Sequence, residues 1–112
     1  MSYDLSQIGF FQFDNLVRSR VPFFLIHEQI PFSEIYGPVE KMHLEARSVL
    51  VDFTQPIAAA LKEMQERRIP KAFPIVILSK DGNAGQDWLK TLESEGYNQA
   101  CWVVDGWPKS TS

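Results

Sequence analysis

Cysteine occurs once in this sequence, at Cys101, so no intramolecular disulfide can staple the fold. Long apolar runs are missing as well. The longest unbroken stretches reach four or five residues, against the roughly 20 that a transmembrane helix requires. The first residues, Met1-Ser2-Tyr3-Asp4-Leu5, lack the basic-then-apolar pattern of a secretory signal. Positive charge is scarce and scattered: the net charge is −3, and among the lysines and arginines only Arg67 and Arg68 are adjacent. Without a basic stripe, nucleic-acid phosphates and anionic membrane surfaces are both poor partners. Repeats, low-complexity tracts and linkers are absent too. These absences predict a cytoplasmic protein that binds neither nucleic acid nor membrane.

What is present suits one folded unit. A length of 112 residues lies near the commonest size of a single domain, so residues 1–112 are read as one domain. A hydrophobic fraction of 45% suffices for a core without staples. Three apolar runs, Phe23–Ile26, Pro74–Leu78 and Ala100–Val104, are continuous rather than alternating, as in strands buried on both faces of a parallel sheet. Ser48–Val51 is a weaker fourth strand, and Gly9–Gln12 an edge strand. Helices alternate with them. Thr54 caps one with Pro56 in its first turn, and Ile57, Leu61 and Met64 form its apolar stripe before Pro70 ends it. Another runs from Gly85 to Glu95, burying Trp88, Leu89 and Leu92, with Gly96 as its stop. A short helix covers Asp14–Arg18. Gln29–Glu45, with Pro31, Gly37 and Pro38, reads as loop with one broken helical turn. The expected fold is therefore α/β: a central, mostly parallel sheet of four or five strands with helices on both faces.

Ligands of an open parallel sheet bind beyond the C-terminal ends of its strands. Three stretches qualify: His27–Glu28, Ser79–Gly85, and Asp105-Gly106-Trp107. The middle one, Ser79-Lys80-Asp81-Gly82-Asn83-Ala84-Gly85, runs from a strand into a helix N-terminus and carries two glycines. Such a loop can aim several backbone N–H groups at one point, with a helix dipole behind them. The same residues also make an ordinary βα turn with a helix cap.

Pro74–Gly85, then Leu89, Leu92, Gly96-Tyr97-Asn98 and Val103-Val104-Asp105-Gly106-Trp107, resemble the C-terminal half of a rhodanese domain. That family runs from an apolar strand into a Cys-x-x-Gly-x-Arg-Ser loop. A helix with spaced leucines follows, then Gly-Phe/Tyr-x-Asn and a strand ending near Gly-Gly. The spacing from Ser79 to Gly106 matches without a gap. Toward the N-terminus the likeness is fainter: Phe24-Leu25-Ile26-His27 sits at an apolar strand that ends in Asp in the family, and Met42-His43-Leu44 at a Gly-His-Ile. The resemblance implies a rhodanese-like three-layer fold.

Its departures bear on activity. In active members the loop cysteine accepts sulfane sulfur as a persulfide; here that position is Ser79, and a hydroxyl cannot hold a persulfide. Ala84 and Gly85 stand at the family's Arg-Ser, removing the cation that would hold an anionic donor, while Asp81 adds negative charge. His27 and Glu28-Gln29 replace Asp-x-Arg, and Trp107 replaces the second glycine. The expectation is a catalytically inactive rhodanese-like module with a binding or regulatory role and no cofactor. Its partner would be a protein of unknown identity or a small anion, held weakly by the loop amides. A cysteine placed at Ser79 is expected to alkylate readily and transfer sulfur poorly. The alternatives are a sulfurtransferase by kinship, or a serine hydrolase built from Ser79, His27 and Asp105, for which no Gly-x-Ser-x-Gly elbow exists.

Other candidates read more simply as structure. Cys101 lies within an apolar strand, where a lone cysteine behaves as a small hydrophobe. His27, Glu28 and His43 follow no metal-ligand spacing, so no metal site is expected. Phe10, Phe11, Phe13, Phe23 and Phe24 suit core packing, and any exposed part of that group would be a self-association surface for a homodimer. Trp107-Pro108 is a second such spot.

Overall fold

The three continuous apolar runs become the three inner strands of one parallel sheet. The computed structural model describes residues 7–28, 30, 32–52, 57–80 and 85–104, by backbone alone at 85 and 86. The strands are β1 (Gln7–Ile8), β2 (Phe24–His27), β3 (Ser48–Leu50), β4 (Ile75–Leu78) and β5 (Ala100–Val103). Their order across the sheet is β1-β5-β4-β2-β3, every pairing parallel. A strand with neighbours on both sides and helices above and below must be apolar throughout, and every residue of β2 and β4 is buried. The edge strands β1 and β3 are short and partly exposed, which limits the unpaired backbone they offer.

Four α-helices complete the three layers: α1 (Phe10–Arg18), α2 (Pro38–Ala46), α3 (Ala58–Glu66) and α4 (Gly85–Ser94). The pleat divides the core in two. Leu25, Val76, Leu78 and Val103 meet Phe13 and Val17 of α1 and Leu44 of α2 on one face. Phe24, Ile26, Ile75, Ile77 and Trp102 meet Ala60 and Met64 of α3 and Leu89 and Leu92 of α4 on the other. The α/β class, the parallel sheet and the two helical layers are those expected.

Two segments differ from expectation. The edge strand expected at Gly9–Gln12 lies earlier, at Gln7–Ile8, and the helix expected from Asp14 starts at Phe10. Gly9 is extended, and its N–H donates to the Gln12 side-chain oxygen at 2.8 Å, closing the first turn. Phe10, Phe13 and Val17 then share a stripe packed on the sheet. The stretch read as loop with a broken turn holds a 3₁₀ turn at Phe32–Glu34 and the nine-residue α2. Gly37 and Pro38 begin that helix rather than break it, since proline at the first helical position forfeits no hydrogen bond. Thr54 and Pro56 lie outside the described residues.

α1, α3 and α4 end alike, each closed by two backbone hydrogen bonds around a residue in the left-handed region. At α4 that residue is Gly96 (φ 95°), as expected; at α1 and α3 it is Arg20 (φ 58°) and Arg68 (φ 57°).

Candidate functional site

The chain leaves β2 for β3 on one side and leaves β4 for β5 on the other, so the order of the sheet reverses between β2 and β4. Beyond the C-terminal ends of such a pair lies the crevice that open α/β sheets use for ligands. His27 pairs with Leu78 in register, which brings Glu28 and Ser79 side by side at that crevice. Ser79 follows β4 directly and is fully buried; α4 begins at Gly85. Asp81, Gly82, Asn83, Ala84, Asp105, Gly106 and Trp107 lie outside the described residues, and at Gly85 only the backbone is described.

One contact defines the mouth. The backbone N–H of Lys80 donates to Glu28 Oε1 at 2.5 Å. The first loop amide that could greet an incoming anion therefore already holds a carboxylate of the same chain. The sequence placed Glu28 at a strand end but did not disclose this link, because it depends on the parallel register of two strands about 50 residues apart in the chain.

His27 is committed elsewhere. Its Nδ1 lies 2.6 Å from the Glu28 carbonyl oxygen, which can only accept, so Nδ1 carries the proton. The ring packs edge-on against Phe32 with centroids 5.0 Å apart. Alternation along β2 sets His27 on the Leu25 face, whereas alternation along β4 carries Ser79 toward the Ile75 and Ile77 face. The sheet thus separates the serine and histidine of the imagined hydrolase.

Burial lowers the His27 pKa below its ordinary 6.5, against smaller raising effects of the Glu28 carbonyl and the Glu45 charge. The unfolded chain therefore binds this proton more tightly than the fold does. The His27 contribution is present above about pH 6.5 and lost as pH falls through the folded value. The expected result is a lower urea midpoint at pH 5 than at pH 7.5, with a smaller drop in His27→Asn, whose amide can still donate locally. Parallel losses in both proteins would assign the drop to other groups.

The remaining candidates disperse. Cys101 is the second residue of β5, partly buried among the α1/α2 core, and burial pushes its thiol up to about 11, so the thiolate a sulfur carrier needs is disfavoured. His43 sits on α2 beside Arg20, toward the N-terminal end of β2, away from His27 at the other end of that strand. Among the described residues no three His, Cys, Asp or Glu side chains are grouped to hold a metal. Of the five phenylalanines near the N-terminus, Phe13, Phe23 and Phe24 are buried and Phe10 partly so; only Phe11 is well exposed, at 78%. One exposed ring is ordinary for a protein surface. Trp107 and Pro108 are outside the described residues, among which no helix is long and apolar enough to cross a membrane.

No protein-family model and no curated protein sequence matches the chain. A solved structure described as that of an uncharacterized protein from Saccharomyces cerevisiae is similar to it, with a TM-score of 0.56 at 16% identity, over 93% of this chain and 88% of that one. That likeness is one of fold, and it places the chain among three-layer α/β proteins with a parallel central sheet.

Proposed function

We propose that this chain is a catalytically silent, rhodanese-like domain that serves as a binding or regulatory module, using the mouth between β2 and β4 or a side face. The observation that carries this reading is the Glu28 carboxylate seated on the Lys80 amide, beside a serine where sulfur transfer needs a thiolate. A sulfur donor such as thiosulfate is a dianion and must approach that point. It would meet a resident negative charge whose hydrogen-bonding partner is already taken. His27, whose ring packs against Phe32 on the Leu25 face of the sheet, is not placed to activate Ser79, which follows the Ile75 and Ile77 face. The mouth is built to hold its own carboxylate and gives up little to a small anion.

The test is a titration with sulfate, phosphate and thiosulfate followed by amide NMR shifts. Wild type should bind no better than about millimolar, roughly −4 kcal/mol. Glu28→Gln removes the charge while leaving an oxygen to accept from Lys80, and should strengthen binding by about tenfold. Micromolar binding by wild type, or no gain in Glu28→Gln, would remove the basis for a self-filled mouth.

A further inference from the structure

A cavity of about 170 Å³ opens where α1 ends, β2 begins and α2 leads into β3, at the end of β2 away from Glu28. Its floor is apolar, with Val17, Phe23 and Leu44 buried. Its rim is charged. Arg20 Nη2 lies 3.9 Å from the Glu40 carboxylate, and Arg20 Nη1 lies 3.1 Å from His43 Nε2. A guanidinium can only donate, so Nε2 accepts and the imidazole is neutral in this contact. Arg47, also on the rim, has no hydrogen-bond or ion-pair partner for its side chain among the described residues. Two arginines against one glutamate leave a single positive charge over an apolar floor.

We propose that this cavity binds a small monocarboxylate carrying a compact apolar tail. The volume sets the tail: an apolar protein cavity of about 150 Å³ accommodates benzene, so this one takes roughly six carbons. The charge sets the head. The unpaired Arg47 fork matches a carboxylate by two parallel hydrogen bonds. A dianion would place surplus negative charge beside Glu40. Arg20 occupies the left-handed position at the end of α1 that Arg68 fills after α3 and Gly96 after α4, and this helix stop brings its guanidinium to the cavity rim.

Hexanoate, 1-hexanol and hexylammonium titrated into the full chain, with amide shifts as readout, test this. Hexanoate should shift Val17, Phe23, Leu44 and Arg47 saturably, hexanol should bind at least about tenfold more weakly, and hexylammonium should leave these amides unmoved. Arg47→Gln should weaken hexanoate by at least about tenfold at an unchanged melting temperature. Arg20→Gly should also weaken it while melting no lower than wild type, since glycine relaxes the left-handed backbone; that combination separates a lost site from a damaged fold. Equal binding of hexanol and hexanoate, wild-type affinity in Arg47→Gln, or shifts confined to the Glu28–Lys80 mouth would overturn the proposal.

Discussion

Wild-type protein should show no thiosulfate:cyanide turnover, and Ser79→Cys alone should remain roughly ten- to a hundredfold below Ser79→Cys/Ala84→Arg. The reason is that nucleophile and electrostatics are separate requirements. Restoring the thiol supplies a group able to carry a persulfide, and the nearby start of α4 at Gly85 favours its thiolate. Burial acts the other way. Ser79 is fully buried, so a cysteine there should react slowly with iodoacetamide, which corrects the expectation of ready alkylation drawn from the sequence. Thiosulfate must then enter past the Glu28 carboxylate, 2.5 Å from the Lys80 amide nitrogen, without the arginine that an active rhodanese carries at the Ala84 position. A charge-assisted contact is worth about 1.5–3 kcal/mol, which sets the expected factor. Adding Glu28→Gln to the double variant should raise turnover further by removing repulsion. Initial rates across the series measure each step. Turnover by wild type at the level of an active rhodanese would refute the silent reading. Full activity from Ser79→Cys alone would leave that reading standing and show that Glu28 and Ala84 do not limit the chemistry.

That series rests on features unequally visible in the sequence. The inner strands were legible because burial on both faces forces an uninterrupted apolar run, and β2, β4 and β5 each begin and end within one residue of theirs. Ser79 at the end of β4 followed from the same reasoning, and Gly96 at the end of α4 from the left-handed backbone that a helix stop requires. What the sequence concealed is non-local. Neither Glu28 nor Lys80 signals that they meet, since the parallel pairing of β2 with β4 decides it. The cavity rim likewise gathers Arg20 from the end of α1 with Glu40, His43 and Arg47 from α2 and its C-terminal cap. α2 itself was obscured by Pro31, Gly37 and Pro38. Two of those three are start signals when an apolar helix face follows, and only packing of Leu44 against the sheet discloses that face.

The N-terminal aromatics offer the sharpest test of the revised element. Phe13→Ala should destabilise the protein by about 3–5 kcal/mol, whereas Phe11→Ala should stay within about 0.5 kcal/mol of wild type. The two rings are two residues apart. The edge strand expected at Gly9–Gln12 holds Phe11 and stops short of Phe13; in a segment extended through both, the rings would point to the same side and be buried or exposed together. In a helix, two residues span about 200°, which sends them to opposite sides. The structure has Phe13 fully buried, with Phe10 and Phe23 at ring-centroid distances of 5.8 and 5.9 Å, and Phe11 78% exposed. Truncating Phe13 opens a void in the α1/α2 core that rigid β2 and β4 cannot collapse to fill, so the transfer loss and the cavity cost add. Total stabilities of such domains are about 5–15 kcal/mol, so a large share disappears. Urea midpoints, at constant slope, read both variants directly. A similar loss in both would favour an extended segment over the helix. A loss confined to Phe11→Ala that grows with protein concentration would instead place that ring in a contact between copies of the chain.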